Sequence, residues 1–174
     1  MRKLYSLFVL SVVASCGGTS APVITRNAPV LQSTELQAAP AIIPVVIDTG
    51  PDTSFGILLN DVRVANNAER VVHNAQLDAA AQAHAQDMLD QDYFSHTGLN
   101  GSTPGDRAIS AGYDWQTYGE NIASGYRSEA GVMKGWSDSP GHHANNINPN
   151  FEEFGLGLAQ DGSKTRWVLM LGAR

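Results

Sequence analysis

A chain of 174 residues with a formal net charge of −6 is long enough for one domain with a sizeable hydrophobic core. Hydrophobic residues make up 43% of the chain and charged residues only 16%, which is typical of a globular protein. The sequence has no run of Lys and Arg and no basic residues interleaved with aromatic ones. Nucleic acid is therefore excluded as an expected partner.

The first fifteen residues have the pattern of a bacterial export signal. Arg2 and Lys3 precede an apolar stretch that is too short to span a bilayer comfortably. The stretch runs from Leu4 to Val13, and the sequence from Val13 to Cys16 resembles the lipobox, in which the cysteine is acylated and becomes the mature N-terminus. Cys16 is also the only cysteine, so no disulfide can form within the chain. An ordinary secretory signal with an incidental cysteine is the alternative.

We therefore expect an exported lipoprotein in which residues 1–15 are removed and Cys16 anchors the chain to a membrane of the cell envelope, on its periplasmic or extracellular side. Residues 16–52 are rich in Gly, Ser, Thr, Ala and Pro without a sustained period, which predicts a flexible spacer. An apolar run at 41–47 is the exception, and it is either a short strand or a segment lying on the domain surface. The folded domain is expected over 53–174, as a monomer.

Three or four helices are predicted in the first part of this domain. Apolar residues recur at helical spacing over 55–65 and over 77–89. The residues 103–106, with a threonine, a proline and an aspartate, mark the start of a third helix, and Ser128 can cap a fourth. His84 lies beside the apolar stripe of the second helix, where we expect a core or boundary histidine with one hydrogen bond rather than a ligand.

Two strands are predicted at the C-terminal end. Apolar residues alternate with small ones over 154–159, and a second apolar run covers 167–171. Asp161 and Gly162, between the two runs, predict a tight turn. Helices followed by antiparallel strands predict an α+β domain.

Short motifs place two imidazoles and a carboxylate within apolar sequence, as a shared polar cleft would require. In chain order, these motifs and two further ones are Phe94-Ser95-His96, Gly119-Glu120-Asn121-Ile122-Ala123, Trp136 with Ser139-Pro140-Gly141-His142 and Asn145, Asn148-Pro149-Asn150-Phe151, and Gly155-Leu156-Gly157. This order resembles the bacterial, cysteine-poor branch of the CAP superfamily, which comprises cysteine-rich secretory proteins, antigen 5 and pathogenesis-related proteins. The resemblance runs from about residue 55 to the C-terminus.

The resemblance implies a three-layer α-β-α sandwich with a small antiparallel sheet and a cleft lined by two histidines and two acidic residues. By motif, His96 and His142 are the histidines and Glu120 is the first acid. The family pattern has its second acid three residues after the tryptophan, where this chain has Ser139. Asp138, one residue earlier, is the candidate substitute for the second acid in the cleft.

The chemistry of these residues allows two readings, one with a metal ion and one without. His96, Glu120 and His142 can supply three ligands of a tetrahedral zinc or another divalent cation. A charge-assisted hydrogen bond between Glu120 and a histidine would satisfy the same groups without metal, and such a carboxylate is expected to raise the pKa of both histidines. The neighbouring asparagines are expected to satisfy backbone groups around the cleft. No Gly-x-Ser-x-Gly elbow or other nucleophile is visible in the sequence.

Three hypotheses follow for the function. The leading one is a non-enzymatic binding module for a lipid or a cell-envelope ligand, held at the membrane by its lipid anchor. The second is a divalent-metal-dependent hydrolase acting on peptides or envelope material, with Glu120 as general base and His96 and His142 holding the ion. The third is a scaffold in which the cleft is only structural.

Overall fold

The computed structural model describes residues 54–174. The predicted signal, Cys16, the spacer and the apolar run at 41–47 lie outside the described residues, and they stay predictions. The described part contains five helices and four strands: α1 (Ser54–Ala65), β1 (Val72–His73), α2 (Ala75–Asp90), α3 (Pro104–Ser110), β2 (Thr117–Ser124), α4 (Glu129–Asp138), α5 (Pro140–Asn146), β3 (Glu153–Asp161) and β4 (Lys164–Ala173). Over this range no helix is both long and apolar enough to cross a membrane.

Local capping groups start the helices that the sequence predicts. The Thr103 side chain accepts from the backbone N–H of Asp106, whose carboxylate in turn bonds the Thr103 backbone N–H, which makes a capping box before α3. The Ser128 hydroxyl accepts from the Gly131 N–H at the start of α4. Both predicted helix starts are confirmed.

The predicted number of helices, three or four, was too low for the described part. Ser139 has an extended backbone, with φ −99° and ψ 115°, and therefore ends α4. Pro140 follows at the first position of α5, where its missing N–H costs nothing. The strand β1 was also missed, because two residues are too few to show a period.

The four strands form one sheet in the order β1-β3-β4-β2. The pairs β3–β4 and β2–β4 are antiparallel, and a two-residue turn at Gly162, with φ 56°, joins β3 to β4. The short β1 runs parallel to β3 at the edge. The predicted α+β class is confirmed, and the sheet is antiparallel except for β1.

The alternation of side chains along β4 separates two hydrophobic layers. Trp167, Leu169 and Leu171 pack with α1 and α4 on one face, whereas Val168 and Met170 pack with α2 and α3 on the other. All five side chains are buried. This is the predicted three-layer α-β-α sandwich.

Two glycines of β3 set how closely α2 approaches the sheet. A Cβ added at Gly155 would lie 2.1 Å from the backbone nitrogen of Asp78, and one at Gly157 would lie 2.4 Å from the carbonyl carbon of Ala81. Side chains at either position would push α2 away. The close packing holds α2, and with it His84, against the sheet next to β4.

Candidate functional site

Glu120 is the centre of the polar cleft. It lies on β2 opposite Met170 of β4, and its side chain is only 2% exposed. One carboxylate oxygen, Oε1, is 2.7 Å from His96 Nδ1. The other, Oε2, accepts a hydrogen bond from Arg107 Nη2 at 2.7 Å. Both oxygens of the buried carboxylate are therefore engaged by charged or polar side chains.

Arg107, in the last turn of α3, fixes more than the carboxylate. Its guanidinium also donates to the backbone oxygens of His96, at 2.9 Å, and Ser102, at 3.0 Å. The side chain is 10% exposed. Arg107 thus holds the loop that carries His96 against Glu120. Sequence reasoning missed this residue, because an arginine on a short predicted helix has no local feature that separates it from a surface arginine.

The hydrogen bond to Glu120 sets the orientation of the His96 ring. A carboxylate only accepts, so Nδ1 of His96 carries the donated proton. This leaves Nε2 as the ring atom available to a ligand, on a side chain that is 52% exposed. The predicted pairing of Glu120 with a histidine is present.

His142 lies on α5, across the cleft from His96, and neutral groups hold it. Its Nδ1 is 2.9 Å from the Ser139 hydroxyl, and its backbone oxygen accepts from Asn121 Nδ2 at 3.0 Å. Burial, and then the charge of His96, lower the pKa of His142 below its ordinary value. The expectation that Glu120 raises the pKa of both histidines is therefore wrong for His142, because Glu120 bonds only His96.

Three asparagines connect β2 to α5. Asn121 Nδ2 also donates to Asn146 Oδ1 at 2.9 Å, and Asn145 Nδ2 donates to Asn121 Oδ1 at 2.9 Å and to the Glu120 backbone oxygen at 3.3 Å. Asn121 and Asn146 are fully buried. Asn121 and Asn145 satisfy backbone groups around the cleft, as expected, whereas the Asn146 side chain accepts from Asn121. Together the three asparagines fix the distance between β2 and the helix that carries His142.

Asp138 is not brought into the cleft. Its carboxylate accepts from Lys134 Nζ at 2.6 Å, one helical turn earlier on α4, and both side chains are well exposed. The expectation that Asp138 substitutes for the second acid of the cleft is therefore wrong. Ser139 occupies the family position of that acid and supplies a hydroxyl to His142 instead.

These residues do not fit a three-ligand metal centre in the observed arrangement. In both His96 and His142, Nδ1 makes a hydrogen bond and Nε2 is available to a ligand, which is the usual state of metal-binding imidazoles. Glu120, however, has both oxygens bonded to other groups and lies beneath His96. Within residues 54–174 no group of three or more His, Cys, Asp or Glu side chains is arranged to hold a metal ion. Zinc or another divalent cation stays a prediction.

His84 lies in the core beside the cleft, with 1% of its surface exposed. Its Nε2 is 2.9 Å from the Ser95 backbone oxygen, so Nε2 carries the donated proton. Burial is the main cause that lowers the pKa of His84, which keeps the ring neutral at pH 7. The predicted core histidine with one hydrogen bond is confirmed, and it anchors the loop of His96 to α2.

Two curated proteins of Bacillus subtilis strain 168 are similar to this chain. The uncharacterized protein YkwD is 41% identical over 87 residues, which are 50% of this chain and 34% of that protein. The uncharacterized membrane protein YlbC is 30% identical over 112 residues, which are 64% of this chain and 32% of that protein. The chain thus spans about a third of the length of the curated relatives it matches.

Solved structures share the fold. An extracellular protein of Bacillus anthracis strain Ames that contains an SCP domain aligns with a TM-score of 0.62 at 29% identity, over 69% of this chain and 39% of that one. An outer surface protein of Borrelia burgdorferi aligns with a TM-score of 0.62 at 23% identity, over 67% of this chain and 86% of that one. At this identity the second likeness shows the fold alone.

The model of the cysteine-rich secretory protein family, CAP, matches residues 57–171. This stretch is more than half of the chain, and it includes His96, Glu120 and His142. The match agrees with the order of motifs in the sequence and with the three-layer sandwich. The chain belongs to the cysteine-rich secretory protein family, CAP.

Proposed function

We propose that this chain is an exported, lipid-anchored binding module whose cleft, formed by His96, Glu120 and His142, holds a lipid or cell-envelope ligand without catalysing a reaction on it. The observation that carries the proposal is the double engagement of Glu120, with His96 on one oxygen and Arg107 on the other, each at 2.7 Å. The predicted export signal supports the location outside the cytoplasm. So does the description of the B. anthracis relative as an extracellular protein.

The state of Glu120 argues against a hydrolase. A general base needs an oxygen within hydrogen-bond reach of the proton that it removes. The Glu120 side chain is 2% exposed, and a substrate would have to displace either Arg107 or His96 to reach it. Displacing Arg107 would leave a buried carboxylate without its charge partner, which is strongly unfavourable.

The atoms left to a ligand are the Nε2 atoms of the two histidines. His142 is neutral at pH 7, because its pKa is lowered by burial and by the His96 charge. Its ring can therefore take part in hydrogen bonds without contributing a charge. A polar head group or an envelope polymer that reaches both rings suits this cleft, and it needs no nucleophile.

The experiment is native mass spectrometry of the full chain purified from its own membranes, in three forms. These are the unmodified chain, a double variant with His96→Gln and His142→Gln, and a control with His73→Gln. The control residue lies on β1, at the opposite edge of the sheet from β2. We expect a co-purified ligand that is lost from the double variant and kept in the control.

Two results would contradict the proposal. One is a ligand that is retained equally by the double variant. The other is stoichiometric zinc together with hydrolysis of peptides or envelope material that Glu120→Gln abolishes, which would establish the metal-dependent hydrolase instead.

The membrane attachment is tested separately with Cys16→Ser. Because acylation of Cys16 is the proposed contact with the membrane, the variant should move from the membrane fraction to the soluble exported fraction. Unchanged partitioning between the two fractions would rule out the lipid anchor, and it would leave the cleft proposal standing.

A further inference from the structure

The outer edge of β3 is only partly covered by a strand. β1 pairs with Glu153 and Phe154 and then ends, because α2 begins two residues after His73. In the described part of the chain, the rest of β3 has β4 on one side and no strand on the other. An edge strand presents unpaired N–H and C=O groups, which can pair with a strand of another molecule.

Two side chains of α2 take the place of the missing strand. The Asp78 carboxylate oxygen Oδ1 accepts a hydrogen bond from the Leu156 backbone N–H at 2.7 Å. Gln82, one helical turn later, bonds both backbone groups of Leu158. Its Oε1 accepts from the N–H at 3.0 Å, and its Nε2 donates to the C=O at 3.0 Å. The Gln82 amide therefore makes the same pair of bonds as a residue of a neighbouring antiparallel strand.

The repeats of helix and strand explain why these contacts recur. Backbone groups on one edge of a strand repeat every second residue, which is about 6.6 Å. Side chains on one face of a helix repeat every fourth residue, which is about 6 Å. Asp78 and Gln82 therefore stay level with the alternate residues of β3 that they bond. The close approach of α2, which Gly155 and Gly157 allow, brings these side chains within reach of the edge.

Without these side chains, β3 would be a suitable template for strand pairing. The stretch from Phe154 to Gln160 contains no charged residue and no proline, and these are the residues that usually block pairing at an edge. Leu158 is 36% exposed, so this part of the edge lies at the protein surface. The bonds from α2 are thus the main feature that separates β3 from an open, uncharged edge.

We propose that Asp78 and Gln82 form an edge cap, which prevents β3 from pairing with the β3 edge of a second copy of this chain. The second copy is the partner because it presents the same uncharged edge, and two such edges can pair antiparallel about a two-fold axis. This proposal does not depend on the proposed function of the cleft, because β4 lies between β3 and β2.

The test is sedimentation velocity of the full chain over a series of protein concentrations. All forms carry Cys16→Ser, so that acylation does not itself cause association. Gln82→Ala opens the cap, and Gln86→Ala is the matched control, since the Gln86 amide donates only to Asp90 on the same helix. Both positions are exposed and alanine favours helix, so both variants are expected to fold. We expect Gln82→Ala to associate at a protein concentration at least about tenfold lower than the control does.

Gln82→Lys separates the effect on the edge from an effect on stability. Lysine cannot accept from the Leu158 N–H, so this variant loses that bond as Gln82→Ala does, but its charge opposes the approach of a second edge. We expect Gln82→Lys to sediment like the control, although urea denaturation shows a loss of stability similar to that of Gln82→Ala. Hydrogen exchange of the Leu158 amide locates the contact. It should be fast in dilute Gln82→Ala and slow again when this variant associates.

Three results would overturn the proposal. The first is a Gln82→Ala variant that associates no more readily than Gln86→Ala. The second is a Gln82→Lys variant that associates as strongly as Gln82→Ala, which would make the loss of stability the cause. The third is association of Gln82→Ala that leaves the Leu158 amide in fast exchange, which would place the contact elsewhere on the molecule.

Discussion

The two halves of the cleft are built by different means. The His96 half depends on charged groups from distant parts of the chain, because Arg107 of α3 and Glu120 of β2 meet below the ring. The His142 half depends on neutral groups, namely a hydroxyl three residues earlier and the amide of Asn121. One histidine is 52% exposed beside a buried ion pair, and the other is half-buried with a lowered pKa.

The difference shows what each half contributes to binding. The hydrogen bond from His96 Nδ1 to the Glu120 carboxylate fixes the orientation of the His96 ring. The other ring nitrogen, Nε2, is left in solvent. Burial and the charge of His96 lower the pKa of His142, and the neutral network holds it across the cleft from His96 without a second carboxylate. The cleft therefore presents two imidazoles with one negative charge, and that charge is already matched by an arginine.

The largest expected effect comes from breaking the charged half. Arg107→Met should lower the free energy of unfolding by about 3–5 kcal/mol, because it leaves the buried Glu120 carboxylate without its charge partner. Urea denaturation measures the change. In the double variant Arg107→Met/Glu120→Gln, much of the loss should be recovered, since the uncompensated charge is gone.

The control for this prediction is Lys134→Met, which breaks the exposed pair with Asp138 on α4. We expect no measurable change in stability, because exposed pairs contribute little. A loss for Arg107→Met no larger than that of Lys134→Met would show that the ion pair below His96 is not a buried one.

A smaller effect is expected from breaking the neutral half. Asn121→Ala should destabilise the protein by about 1–3 kcal/mol, because it leaves the backbone oxygen of His142 and the amides of Asn145 and Asn146 short of partners. Thermal and urea unfolding measure the loss. The control is Asn66→Ala, in the exposed turn directly after α1, for which we expect no measurable change. An Asn121→Ala variant that is as stable as the unmodified chain would contradict the role of the amide network in holding α5.

Ser139→Ala removes only the hydroxyl that bonds His142. We expect a loss of about 0.5–1.5 kcal/mol, typical of one hydrogen bond, from the same unfolding measurements. The substitution should also broaden the ring signals of His142 in NMR spectra, since the ring loses the contact that orients it. Sharp, unchanged signals would show that the Ser139 hydroxyl does not orient the His142 ring. Ser163→Ala, in the turn between β3 and β4, is the control for the loss of a serine hydroxyl.

The smallest effect concerns pH. His84 and His142 both have lowered pKa values, mainly through burial, so the native protein takes up these protons less readily than the unfolded chain. Their contribution to stability is present in full above the unfolded pKa of about 6.5 and is lost as the pH falls below it. His84→Gln should flatten the decline of stability between about pH 7 and pH 5. An equally steep decline in this variant would contradict the assignment of His84.

The sequence predicted those parts of the fold that local groups determine. Thr103 with Asp106, and Ser128, start α3 and α4 where the sequence places them, because a cap acts on N–H groups two or three residues away. The hairpin of β3 and β4 was also predicted from local signals, namely two apolar runs around a short turn. The break at Ser139 and Pro140 also carries a local signal, and the extra helix α5 could have been found from it.

Contacts between residues that are distant in the sequence could not be predicted from local patterns. Arg107 and Glu120 are 13 residues apart and meet only because α3 packs against β2. No local pattern distinguishes this arginine from a solvated one. The position of Asp138 was misjudged for a related reason, since the i,i+4 contact with Lys134 satisfies its carboxylate on the outer face of α4.

The most direct test of the account is whether His96 and His142 share one cleft, and NMR titration of His142 in the His96→Gln variant decides it. In the unmodified chain the pKa of His142 should lie below about 6.5. Removing the charge of His96 should raise the pKa of His142, though not to its ordinary value, because burial is the larger cause of its shift. His143→Gln, next to His142 in the chain, should leave the His142 value unchanged. A His142 pKa that is the same with and without His96 would contradict the shared cleft and the binding function built on it.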